Sequence, residues 1–252
     1  MADEISLLKK RFEELANKTY RNNVYTFTNF LTMAEQDTFF QMQKEISYVP
    51  YRFFGGTADC ERMMLRFGSE DLCGYDEGFP ICCIHIEPLM KKFADELSHR
   101  DFLGALMNLG IERNLLGDII IKDNKGYLFC QEKMASFIVD NLDKVKHTSV
   151  RCCITEDIPE STITKVEEMN LVVSSERCDG VIAKVFQLSR SQCVELFREK
   201  KIYVNGRLYE NNSGVLKADD KVSVRGFGKF EYCGMQHETK KGRINMKVKK
   251  YV

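Results

Sequence analysis

Apolar residues recur at helical spacing from the start of the chain. Ile5, Leu8, Phe12 and Leu15 are three or four positions apart, which puts them on one stripe of a helix over residues 3–20. Thr32-x-x-Glu35 has the form of a capping box and opens a second helix running to about Ile46. Pro50 and Gly55-Gly56 break that pattern, and Met63–Phe67 reads as a strand. From about residue 79 the period alternates between two and 3.6. Ile81–Ile86 is a strand, His99–Leu109 a helix ended by Gly110, and Gly117–Ile121 and Tyr127–Cys130 are strands. Between those two strands, Asp123-Asn124-Lys125-Gly126 is a hairpin turn in which Asn and Gly are expected to supply positive φ. Met134–Leu142 is a helix and Val150–Ile154 the last strand. A third stretch begins near Ser174. Glu176-Arg177-Cys178-Asp179 opens a helix through Phe186 whose stripe is Val181, Ile182, Val185 and Phe186. Ser189 is placed to cap another helix through Arg198. Asn205-Gly206 between Ile202, Val204 and Leu208 is a hairpin signal, and Lys221–Arg225 is a further strand after an Asp219-Asp220 turn.

The fold class this implies is α+β in three parts: an N-terminal α/β domain over residues 1–78, a β-α-β-β-α-β middle domain over 79–158, and a compact α/β module over 174–252. The middle order is the ferredoxin-like, split β-α-β pattern, which the RNA-recognition motif also uses. Tyr127 and Phe129 share one face of its central strand and read either as base-stacking rings or as core.

Composition narrows the class. The 252 residues are 44% hydrophobic and 11% aromatic, ordinary for a folded protein. No apolar run reaches the roughly eighteen residues needed to span a bilayer, and the opening residues lack the basic start and apolar core of a signal peptide. A cytoplasmic protein without a membrane partner is expected. Ten scattered cysteines then read as reduced thiols. None form Cys-x-x-Cys, and Cys82-Cys83-Ile84-His85 reads as small buried hydrophobes rather than a metal site.

The net charge of zero conceals an asymmetry. Residues 176–252 carry 17 lysines and arginines against 9 acidic residues; the preceding residues carry 20 against 28. A basic end on an acidic body points to a polyanion partner for that end, and the acidic body offers a surface for a protein partner. The module supplies suitable groups. The amides at Arg190 to Gln192 open the second helix and favour an anion. Arg190 adds a planar fork for phosphate. Lys184, Lys200, Lys201 and Arg207 extend a basic rim, and Arg225 and Lys229 bracket Gly226-Phe227-Gly228. If about six cations neutralise phosphates, affinity falls roughly a thousandfold between about 50 and 200 mM salt. The expected partner is structured RNA, not DNA.

Arg177-x-Asp179, Leu188-Ser189-Arg190-Ser191 and Ile202-x-Val204-Asn205-Gly206 together resemble the alpha-L, or S-four, RNA-binding module. Upstream, His99-Arg100-Asp101-x-Leu103-Gly104-Ala105, Leu109-Gly110-Ile111-x-Arg113 and Gly117-Asp118-Ile119 resemble the bacterial YlmH family, and Val224-Arg225-Gly226-x-Gly228-x-Phe230 resembles its closing strand. The resemblance implies a factor of the large ribosomal subunit, holding ribosomal RNA and tRNA in the rescue of stalled translation, with a further link to cell division. It places Arg177, Ser189, Arg190, Ser191, Asn205 and Arg207 at or beside the RNA face. Lys200 stands where such modules usually end the helix with glycine. Lysine can follow that turn only with strain or a different cap, and it can instead add a phosphate contact.

Enzymatic patterns fail on inspection. His99-Arg100-Asp101 imitates a kinase catalytic loop, but Leu106 stands where Asn is required. Lys133-Met134-Ala135-Ser136 imitates a synthetase loop that lacks its partner motif. Gly55-Gly56 is too short for the turn that holds a methyltransferase cofactor. Asp101 and His99 read as cap residues of their helix. The protein is expected to be non-catalytic and to need no cofactor; an RNA-modifying enzyme with an unrecognised N-terminal site and an RNA-anchored adaptor are the alternatives.

Overall fold

The computed structural model describes residues 2–58, 60–158, 166–238 and 242–251. The fold is α+β, and the chain divides into two compact units, Met1–Thr162 and Ile163–Val252.

The first unit opens with α1 (Ala2–Asn22), β1 (Thr26–Phe27), α2 (Met33–Met42), β2 (Tyr51–Phe54), β3 (Met64–Phe67) and α3 (Glu70–Cys73). Of the stripe predicted on α1, Phe12 and Leu15 are buried against Phe39 and Met42 of α2 and Leu65 and Phe67 of β3, Leu8 is partly buried beside them, and Ile5 is exposed. The capping box of α2 is formed: Thr32 donates its amide to Glu35 at 2.7 Å, and the Glu35 amide returns to the Thr32 hydroxyl at 3.3 Å. α2 ends before Ile46, but Ile46 stays in the same core. The three strands form an antiparallel sheet in the order β1-β3-β2.

A second sheet follows from β4 (Ile81–Pro88), α4 (His99–Asn108), β5 (Leu116–Lys122), β6 (Lys125–Gln131), α5 (Glu132–Asn141), β7 (Lys144–Val145) and β8 (Thr148–Thr155). Its order is β5-β6-β4-β8-β7, every neighbour antiparallel. β6 is thus inserted between β4 and β5, as a split β-α-β succession requires. Phe102 and Leu106 of α4 and Ile138 of α5 cover one face, over Ile84, Ile86 and Leu128. Each such side chain contributes about 1.5–3 kcal/mol when fully buried.

Two expectations are corrected and one open alternative is decided. The hairpin turns at Asp123 and Asn124, with φ 51° and 60°, rather than at Gly126. Gly126 already lies in β6 under the Phe102 ring, where a Cβ would come within 2.8 Å. Phe129 is not a stacking platform: it is 1% exposed and packs with Phe30, Cys60, Met64 and Cys83. The N-terminal segment covers that part of the sheet so closely that a Cβ on Gly56, at φ 113°, would fall 2.2 Å from the Phe129 ring. Finally, Ser98, not His99, caps α4. Its amide and hydroxyl both donate to Asp101, at 2.8 and 2.6 Å, which holds the Asp101 carboxyl below its ordinary pKa.

The second unit contains β9 (Val166–Val173), α6 (Cys178–Val185), α7 (Arg190–Arg198), β10 (Ile202–Val204), β11 (Arg207–Leu208), β12 (Asp220–Val224), β13 (Gly228–Glu238) and β14 (Ile244–Tyr251). One antiparallel sheet takes the order β11-β10-β12-β13-β14-β9. Val181, Ile182 and Val185 of α6 pack with Leu196 and Phe197 of α7 onto Val222, Val224 and Phe230. β9 and β14 have no counterpart in the sequence reading. They pair from Val173↔Ile244 to Val166↔Tyr251, which sets Lys249 opposite Glu168 and Lys250 opposite Glu167. Part of the basic tail is therefore complemented within the sheet.

Candidate nucleic-acid interface

α7 owes its start to Ser189, which sits in extended geometry and forms the capping box in full. The Gln192 amide donates to Ser189 Oγ at 3.2 Å, and the Ser189 amide to Gln192 Oε1 at 2.9 Å. Of the three amides read as anion donors, that of Gln192 is therefore engaged. Those of Arg190 and Ser191 are first-turn groups with no partner within the helix. Ser191 Oγ lies 3.0 Å from Ser189 Oγ, so two hydroxyls stand beside the two amides.

α6 starts at a forked ion pair. Arg177 Nε and Nη2 donate to the two Asp179 oxygens at 3.1 and 2.6 Å. The fork holds the Asp179 carboxyl below its ordinary pKa against an opposing effect of burial, with Arg190 adding a smaller pull in the same direction. Arg177 is about half exposed, so the pair serves more to set the helix entry than to stabilise the fold.

Between these helix starts lies an open cleft of 980 Å³, lined by Arg177, Asp179, Lys184, Arg190 and Arg243 together with Asn212. Four cations face one carboxylate, and that carboxylate is already held by one of them. Such a concavity has forked and single-point donors, helix amides and hydroxyls on one surface. It suits a chain of phosphates far better than a small apolar ligand.

The structure gathers only part of the predicted set here. Arg177, Lys184, Ser189, Arg190 and Ser191 lie in or beside the cleft. Lys200, Lys201 and Arg225 meet at the far end of α7, where the Arg225 amide donates to the Lys201 carbonyl at 2.9 Å. There Lys200 pairs with Glu210 at 3.4 Å and Lys201 with Glu199 at 2.6 Å. Arg207 lies exposed on β11. Lys229 lies on β13 with its ammonium 5.6 Å from the Tyr251 ring. Asn205 is exposed, but its side chain is engaged within the hairpin: its amide donates to Asp220 at 2.7 Å and its oxygen accepts the Lys221 amide at 2.9 Å. The side chain pins the hairpin, with φ 51° at Asn205 and 77° at Gly206. Arg243 escaped the sequence reading because it follows the long β13 and joins the cleft only through the β13–β14 connection. The basic tail was its one signal.

Cys178 and Cys193 lie buried beneath this surface. Burial pushes both thiols up, that of Cys193 to about 11, so they behave as small hydrophobes.

Residues 75–157 match the family model described as "Putative RNA-binding domain in YlmH". Over 250 residues the chain is 26% identical to "Ribosome-associated protein quality control protein P2" of Bacillus subtilis (strain 168), spanning 96% of this chain and 93% of that protein. Among solved structures, "Cell division protein ylmH from Streptococcus pneumoniae" aligns over 60% of this chain and 91% of that one, at 19% identity and a TM-score of 0.48.

Proposed function

From the premise that this is a YlmH-type chain, we propose that it is a non-catalytic, ribosome-associated RNA-binding factor of the cytoplasm. It contacts large-subunit ribosomal RNA, with tRNA as a second contact, in ribosome-associated quality control. The reading rests most on the cleft at the starts of α6 and α7, where Arg177, Lys184, Arg190 and Arg243 converge around a single paired carboxylate. In this reading residues 174–252, extended by β9, form an alpha-L module. Its cleft takes the phosphate backbone, and Lys200, Lys201, Arg207, Arg225 and Lys229 guide the approach of RNA from the rim. Residues 79–158 form a ferredoxin-like RNA-binding domain, and residues 1–78 a third domain that meets a protein partner.

Phosphate contacts position a protein on its RNA and carry the salt dependence of binding. The test is co-sedimentation of the full chain with purified large and small ribosomal subunits, for wild type, Lys184→Ala/Arg190→Ala and Lys200→Ala/Lys201→Ala. Salt-sensitive binding to the large subunit, lost in the first double variant and weakened in the second, is the expected result. Equal binding of wild type and the first double variant overturns the cleft as the RNA face. Binding to neither subunit overturns the ribosomal reading.

A further inference from the structure

The face of the second sheet that the N-terminal segment covers is covered only in part. Beyond the buried Phe129 and Cys83, two further rows of side chains point the same way, since residues two apart along a strand share a face. The first row crosses three strands in register: Tyr127 on β6 opposite His85 on β4, and His85 opposite Cys153 on β8. The Tyr127 and His85 rings stack, with centroids 4.9 Å apart and planes at 25°. The next row holds Lys125, Glu87 and Arg151. Glu87 bridges the two cations at 3.2 and 2.6 Å, and Lys122 faces Lys125 across the β5–β6 pair. Tyr127 and His85 are half-buried, whereas Cys153 and Arg151 are exposed. Burial, followed by the charge of Lys125, keeps the His85 imidazole below its ordinary pKa. Near neutral pH the stack is thus uncharged, and it adjoins a row with more cations than carboxylates.

We propose that this open half-face is a second RNA contact, at which an unpaired nucleobase stacks on the Tyr127–His85 pair while its phosphate meets Arg151 and Lys125. The inference extends the RNA-binding reading to another surface and shares its premise that the chain holds RNA. Two arguments select a single-stranded segment. Four adjacent strands at about 4.8 Å spacing span about 14 Å, and two rows at about 3.4 Å per residue span about 7 Å. That is the footprint of a base with its phosphate. In addition, aromatic rings beside cations form the platform that tolerates any base, because every base has a π-face. Glu87 fits the same scheme: it holds Arg151 and Lys125 in place without cancelling both. This contact lies within the stretch that matches the RNA-binding-domain model, at a part of the sheet the N-terminal segment leaves open.

The experiment uses the full chain and three probes: a blunt RNA hairpin, the same hairpin with a short single-stranded overhang carrying 2-aminopurine, and the overhang strand alone. Binding and 2-aminopurine quenching are read for wild type, Tyr127→Leu, Arg151→Gln and Arg190→Ala. Tyr127→Leu keeps apolar volume against the core. Arg151 is 68% exposed, so its substitution folds even if the first does not. The expected result is that the overhang raises wild-type affinity on the order of tenfold, within the range for stacking one base, and is quenched. Tyr127→Leu loses both gains and leaves the blunt hairpin unaffected. Arg151→Gln lowers the salt slope of the overhang probe by about one. Arg190→Ala weakens both hairpins alike. An overhang that adds neither affinity nor quenching in wild type overturns the proposal, and so does a gain that persists in both sheet variants. If the blunt hairpin is not bound, the cleft reading fails and the strand alone decides this one. Quenching by wild type but not by Tyr127→Leu then supports the stacking site, and no quenching overturns it.

Discussion

The Asp118 carboxylate accepts the backbone amide of Arg62 at 3.3 and 3.4 Å, while the Arg62 side chain reaches back to β5, the strand that carries Asp118. The same carboxylate takes the Glu61 amide at 2.5 Å. Arg62 in turn donates to the Leu116 carbonyl at 3.0 Å and to the Phe30 and Arg113 carbonyls at 3.1 Å. The two residues form a clasp that ties the segment before β3 to the second sheet, at the edge of the core around Phe129. Burial raises the Asp118 pKa, and the two amides and the charge of Arg62 oppose that effect. The clasp joins the two sheets of the first unit, alongside the packing of Phe30, Cys60 and Met64 on Cys83 and Phe129.

Removing the acceptor should loosen that junction. Asp118→Ala leaves two amides without a partner and is expected to cost about 1–3 kcal/mol. Asp118→Asn retains one acceptor oxygen and costs less. Urea unfolding of the full chain measures both. An Ala variant with an unchanged midpoint contradicts the role given to the clasp.

Lys200 ends α7 in a left-handed turn that glycine usually takes. Its φ is 55°. Its amide donates to the Phe197 carbonyl at 3.1 Å and the Lys201 amide to the Leu196 carbonyl at 3.0 Å, the two bonds of a Schellman cap. The cap is the usual one, and the lysine carries the strain. Lys200→Gly is expected to stabilise the chain by about 0.5–1 kcal/mol, as left-handed strain is relieved against a larger unfolded-state entropy. Lys200→Ala keeps the Cβ and loses only a surface pair with Glu210, so its thermal midpoint should barely move. A glycine variant no more stable than the alanine variant contradicts this.

Asn205 separates a structural role from an RNA-binding one. Asn205→Gly keeps the turn but loses the bonds to Asp220 and Lys221, at about 1 kcal/mol. Asn205→Ala adds left-handed strain of about 1 kcal/mol or more. Both variants should lower the melting temperature, yet leave the salt slope of RNA binding unchanged at temperatures where they are folded. A reduced slope in the glycine variant places Asn205 on the RNA instead.

Glu87 gives a pH signature. Its hydrogen bonds to Arg151 and then Lys125 hold its pKa down to about 2, from an ordinary 4.5. A carboxyl depressed on folding stabilises the fold above its ordinary pKa and loses that contribution as pH falls through the window down to the folded value. Glu87→Gln should therefore be less stable than wild type at pH 7, and the gap in urea midpoint should narrow as pH falls from 4.5 toward 2. A gap independent of pH would mean that the ion pairs contribute nothing.

What could be read ahead of the structure was local. The capping box at Thr32, the N-cap at Ser189, the stripe on α1 and the Asn205-Gly206 turn depend on residues a few positions apart, and each is found where its spacing placed it, save that Ile5 at the start of the stripe is exposed. What escaped depends on distant partners. Phe129 and Tyr127 share a face, but only the packing of Phe30 and Met64, far away in sequence, buries one and leaves the other at the rim. β14 alternates Ile244, Met246 and Val248 with polar residues, yet its lysines made it read as a tail, because β9 and its facing glutamates lie over seventy positions earlier. Arg243 reaches the cleft through that same strand pairing. The cations at the starts of α6 and α7 were legible because helix starts are local; which of the rim lysines join them was not.

The central claim, that the cleft holds an RNA backbone, is tested most directly by the salt dependence of binding to the large ribosomal subunit, for wild type and Arg190→Ala. Each phosphate contact contributes just under one to the slope of log affinity against log salt. The expected result is a steep wild-type slope that falls by about one in the variant, with weaker affinity at every salt concentration. Equal slopes for the two proteins would contradict the claim.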